Sequence, residues 1–113
     1  MFIIKKSESY IWPVVVKFPM SGGRHAEERF DAEFKRVTNS RIREIQKQIE
    51  KEEISDIDLA KEILVGWKGV HDDEKNEMPF SIENKEQLLD VALVAGAIVT
   101  AFFESITGAK RKN

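Results

Sequence analysis

Cysteine is absent from the chain, which excludes a disulfide framework, a thiolate metal centre and a cysteine nucleophile. Histidine is scarce: His25 and His71 are the only two, and no HExxH spacing sets up zinc binding. No GxxxxGK[ST] loop is present for a nucleotide phosphate, and no GxSxG elbow for a serine nucleophile. Charge of one sign is lacking too, since 18 Lys+Arg face 20 Asp+Glu for a net charge of −2. A dedicated nucleic-acid binder draws most of its affinity from a basic excess. Long apolar runs are also missing. The longest, Val91 to Phe103, is broken only by Gly96 and Thr100, yet it falls short of the ~20 residues that span a membrane. Met1 to Ile4 is too short for the core of a secretory signal, and Lys5-Lys6 follows it.

What is present fits one modest domain. The chain has 113 residues, 42% hydrophobic and 34% charged, which supports a single core under a heavily charged surface. Trp12, Val14, Val16 and Phe18 alternate with Pro13, Val15 and Lys17, the period-2 pattern of a half-buried strand. Pro13 has no N–H to donate, which places the strand at a sheet edge. Pro19 to Gly23 supplies turn chemistry. Ala26, Glu28, Phe30, Ala32 and Phe34 then form a second alternating set, although Phe30, Phe34 and Val37 also fit helical spacing. A hairpin partner for the first strand favours the strand.

The remainder reads as helical. Thr38-Asn39-Ser40 clusters N-cap residues ahead of Ile42, Ile45 and Ile49 on one stripe. Ser55 with Asp58 makes a weak capping box, and Ile54 with Leu59 a hydrophobic staple. Leu59, Ala60, Ile63 and Leu64 carry that apolar face on to Gly66. Gly69 to Pro79 is a polar loop. Ser81 caps a helix holding Leu88 and Leu89, and Asp90 caps a last helix from Val91 to about Ile106, closed by Gly108. The expected fold is α+β: an N-terminal β-hairpin or small antiparallel sheet followed by about four α-helices. It is read as one domain over residues 1–109 with a frayed basic tail at 110–113.

Several constellations have a plain reading beside a chemical one. Asp72, Asp73, Glu74 and Glu77 gather acid, but Lys75 intrudes and the glycine of an EF-hand turn is missing. No cofactor or metal is expected. Lys35, Arg36, Arg41, Arg43, Lys47 and Lys51 make segment 35–51 basic. The acids of 52–62 follow within about a Debye length, and no aromatics are interleaved for base stacking. A solvated face is the plainer reading there, and a small nucleic-acid-associated regulator the alternative. The positive signal is Val91 to Phe103, apolar nearly all round, where a surface helix should keep a polar face. Such a helix is central, or part of it meets a partner or another copy of the chain.

Gly66-Trp67-Lys68-Gly69-Val70, an acidic loop, then Pro79-Phe80-Ser81 and Leu88-Leu89 resemble the phage tail assembly chaperone family of long non-contractile tails, similar in role to the lambda-like tail chaperones. The aliphatic first strand, Gly22-Gly23, Phe30, Phe34, Phe102-Phe103, Gly108 and Lys112-Asn113 extend the resemblance over almost the whole chain. The loop departs from it, with Glu74-Lys75-Asn76 where many relatives carry a glycine. The resemblance implies a non-catalytic chaperone that binds the tape-measure protein and helps recruit major tail protein. It would work in the host bacterial cytoplasm during assembly and be absent from the mature virion. It also implies that this is the short form of a protein with a longer, frameshifted version. A structural tail component is the neighbouring alternative. Trp67, Phe80, Phe102 and Phe103 are the candidate protein-binding residues; the plainer alternative is that all four are core, and for Trp67 and Phe80 it has at least equal weight.

Overall fold

The computed structural model describes residues 1–4 and 7–108, so the basic tail expected at 110–113 lies outside the described residues. The elements are β1 (Ser9–Met20), β2 (Arg24–Lys35), α1 (Asn39–Glu50), α2 (Asp56–Ile63), β3 (Leu64–Lys68), α3 (Ile82–Leu89) and α4 (Val94–Thr107). The fold is α+β: a three-stranded antiparallel sheet in the order β1-β2-β3 with four helices.

β1 and β2 form a long hairpin, paired from Ser9↔Lys35 to Met20↔Arg24. Gly22 and Gly23 close it at φ 83° and 75°, a region in which a side chain would strain the backbone. β1 is an edge strand, and its prolines show how it tolerates that role. Arg36 N–H donates to Glu8 O at 2.9 Å, in the same register as the ladder. Hydrogen-bonded and non-bonded pairs alternate in an antiparallel pair. Even-numbered residues of β1 therefore bond to β2, and odd-numbered ones turn their N–H and C=O to the free edge. Pro13 and Pro19 are both odd, so neither removes a ladder bond.

One face of the sheet is the core. Val14 and Val16 of β1, Ala32 and Phe34 of β2, and Leu64 and Trp67 of β3 are buried there. They meet Ile45 of α1, Leu59 and Ile63 of α2, Leu89 of α3, and Ile98 and Phe102 of α4. The opposite face carries an exposed row of Ile11, Pro13, Val15 and Lys17 beside Glu27, Arg29 and Asp31.

Three of the helix starts follow the sequence. Thr38 Oγ1 accepts from Arg41 N at 3.2 Å, the Ser55–Asp58 capping box is complete, and Ser81 Oγ accepts from Asn84 N at 3.0 Å. Two expectations need correction. The face read as helical through Gly66 stops at Ile63, and Leu64 to Lys68 pair with β2 as a third strand. Gly66 fits because a Cβ there would lie 2.6 Å from Glu33 Oε1. Asp90 ends α3 rather than starting α4, its N–H reaching Glu86 O at 3.0 Å. α4 begins at Val94 behind Leu93, which lies in the left-handed region at φ 77° and offers no side-chain cap.

Candidate interaction surface

The four candidate aromatics fall into two sets. Trp67 sits on β3, 8% exposed, and its Nε1–H donates to Met78 O at 2.8 Å. Phe80 meets it edge-on, with ring centroids 4.9 Å apart. Lys85 stands over Phe80 at 5.8 Å and donates to Lys61 O at 2.6 Å. Burial, and to a smaller degree the charge of Lys61, pushes the Lys85 ammonium below its ordinary range. In the second set Phe102 is wholly buried and meets Phe34 at 5.6 Å and Phe103 at 5.5 Å. Tyr10 extends this chain of rings toward Arg36, and its hydroxyl hydrogen-bonds Ser105 Oγ at 2.7 Å. No ring contact joins the two sets among the described residues. Phe80 and Phe103 keep part of their surface outside, whereas Trp67 and Phe102 present little or none.

The basic segment is partly engaged within the fold. Arg41 grips Glu62 with two bonds, at 2.6 and 2.8 Å, and also reaches Glu44 and Gln48. This fork ties α1 to α2 in the planar bidentate geometry that suits a guanidinium. Hydrogen bonding to Arg41 holds the Glu62 carboxyl below its usual range against a desolvation effect of opposite sign. Arg43, Lys47 and Lys51 remain exposed.

The acidic loop also organises itself. Asp72 Oδ1 accepts from the N–H groups of Glu74 and Asn76, both at 2.9 Å, which is how an aspartate side chain stabilises a turn. No three His, Cys, Asp or Glu side chains converge on one point among the described residues.

A further concave feature lies on elements that the sequence did not bring together. A groove of roughly 1320 Å³ runs between the free edge of β1 and α4. Apolar side chains line part of it: Ala97 and Ala101 of α4, together with Trp12, Pro13 and Val15 of β1. At one end the turn between α3 and α4 adds Val91 and Leu93, which are 46% and 54% exposed. Asp56, Asp90 and Glu104 flank the helical wall, and Lys17 and Arg29 the strand wall. Asp56 Oδ2 comes within 3.4 Å of where a Cβ on Gly96 would be, so a carboxylate stands by the first turn of α4, where the helix dipole favours it. The available sequence signal was the alternation of Val91, Leu93 and the alanines in a run too apolar for one buried face. It could not show that β1 lies opposite.

No curated protein and no solved structure matches the chain. Residues 24–109, from the first residue of β2 to just past α4, match the model of the YdaY prophage protein family. That match takes in most of the chain and marks the protein as phage-derived, so the chain belongs to the YdaY prophage protein family.

Proposed function

We propose that this prophage protein is a non-catalytic tail assembly chaperone that binds the tape-measure protein, keeps it soluble and helps recruit major tail protein in the host cytoplasm. The observation that supports this reading is the exposed apolar surface around the groove between β1 and α4. Val15, Val91 and Leu93 leave apolar side-chain surface at the groove for a partner to cover. Phe80 and Phe103 add half-exposed aromatic area of the kind that anchors protein interfaces. Trp67 and Phe102 would act from beneath, by holding those two rings in place. A strand edge with unpaired N–H and C=O groups gives a second mode of contact with an unfolded or extending client.

Co-expression with the tape-measure protein of the same prophage tests the proposal. The expected outcome is that the tape-measure protein moves from the insoluble to the soluble fraction and co-purifies with this chain. If it aggregates as before, with the longer frameshifted form as well, the proposal is overturned. Salt-dependent DNA binding by the purified chain would then favour the regulator alternative.

A further inference from the structure

We infer that the groove between β1 and α4 receives residues 1–4 of a second copy of this chain, which adds as a short strand to the free edge of β1. The inference does not depend on the chaperone reading, because it concerns the protein by itself.

Three observations carry it. Met1, Phe2, Ile3 and Ile4 form an apolar tetrapeptide with exposures of 114%, 86%, 54% and 93%, so the described residues of its own chain leave most of it uncovered. Fully burying side chains such as Phe and Ile is among the largest single gains available to a short segment. The groove offers the matching surface, an apolar floor of Val15, Leu93, Ala97 and Ala101 beside an unpaired strand edge. The helical wall suits the charge: Lys5-Lys6 follow the tetrapeptide in the sequence, and Asp56 and Asp90 flank that wall, opposite Lys17 and Arg29 on the strand wall.

Reach decides whose segment it is. Glu8 is still in the ladder, bonded to Arg36. The tightest hairpin reversal uses two residues. Folding back after Glu8 would therefore set Ile4 beside Ser9 and Met1 no further than Trp12. Paired in that way, residues 1–4 of the same chain reach neither Val15 nor Lys17. A second copy has no such tether. Reciprocal insertion then gives a closed two-fold dimer, in which each chain fills the other's groove.

The absence of cysteine makes the test clean. An Ile3→Cys chain is mixed under a thiol-disulfide buffer with a Leu93→Cys chain, and in parallel with a Thr100→Cys chain in case the first substitution perturbs the turn. Expected is a disulfide-linked heterodimer well in excess of that formed with a Ser21→Cys chain at the hairpin tip. Sedimentation of the unmodified protein over a concentration series should give about twice 13.0 kDa. Phe2→Asp or Ile4→Asp should raise the dimer dissociation constant at least about tenfold. A monomer at every concentration without preferential cross-linking overturns the inference. So does an Ile3→Cys/Leu93→Cys chain that closes within one molecule at high dilution, or a dimer that survives Phe2→Asp unchanged.

Discussion

Trp67→Ala should be the most damaging single truncation in β3. The ring is 8% exposed, donates to Met78 O at 2.8 Å and packs edge-on against Phe80 at 4.9 Å. Removing a large buried side chain and leaving its cavity typically costs ~3–5 kcal/mol. Losing the hydrogen bond adds ~1 kcal/mol if Met78 O stays unpaired, and the aromatic pair about as much again. These effects overlap, so about 4 kcal/mol is the working value. In urea, with a slope of about 1.5 kcal/mol per molar for a chain of this size, the midpoint should fall by about 2–3 M. Trp67→Phe keeps most of the packing and loses the N–H, so its fall should be less than half as large. The readout is a urea melt followed by circular dichroism. A midpoint for Trp67→Ala within ~0.3 M of the parent would refute the argument, because it would mean that the ring fills no space the fold depends on.

Two further predictions concern charge and backbone strain. Hydrogen bonding to Arg41 lowers the Glu62 carboxyl from its ordinary value of 4.5. A group depressed in the folded state stabilises it fully above the unfolded value, and that contribution is lost as pH falls through the folded one. Glu62→Gln should therefore flatten the loss of stability between neutral pH and the acid range, and equal slopes for parent and variant would count against the ion pair. Leu93→Gly should raise stability by about 1 kcal/mol, because it relieves a bulky residue at φ 77° that is 54% exposed; a drop of that size in thermal or urea melts would place the side chain in the core after all.

The sequence announced the hairpin and most helix ends because those signals are local. Gly22-Gly23 can only suit a turn, and Ser55 with Asp58 satisfies its own helix start without help from elsewhere in the chain. β3 was hidden because Leu59, Ala60, Ile63 and Leu64 continue one helical stripe into it. The deciding partner, Ala32 to Phe34 of β2, lies about thirty residues upstream. A bulge at Val65, between the Glu33↔Gly66 and Phe34↔Leu64 pairs, further breaks the alternation that would have flagged a strand. The start of α4 was misplaced for the opposite reason. Asp90 is a strong N-cap by type, but its N–H already closes α3, and the chain then turns through a leucine that no propensity scale would put there. The candidate aromatics were legible as large apolar groups, whereas their division into enclosed and half-exposed rings depends on tertiary packing. The groove belongs to two elements at opposite ends of the chain; the apolar excess of Val91 to Phe103 hinted at one wall, and nothing local pointed to β1 as the other.

The two prolines of β1 make its free edge selective about what it will hold. Between Ile11 and Pro19 that edge offers N–H groups at Ile11, Val15 and Lys17, and only carbonyl oxygens at Pro13 and Pro19. An arriving strand that brings donors opposite those two positions completes its bonds. A copy of β1 aligned proline to proline would face missing hydrogens on both sides. The pattern works like the notches of a key. It admits a guest in few registers, and it makes the edge-to-edge pairing of two β1 strands in that alignment a poor match.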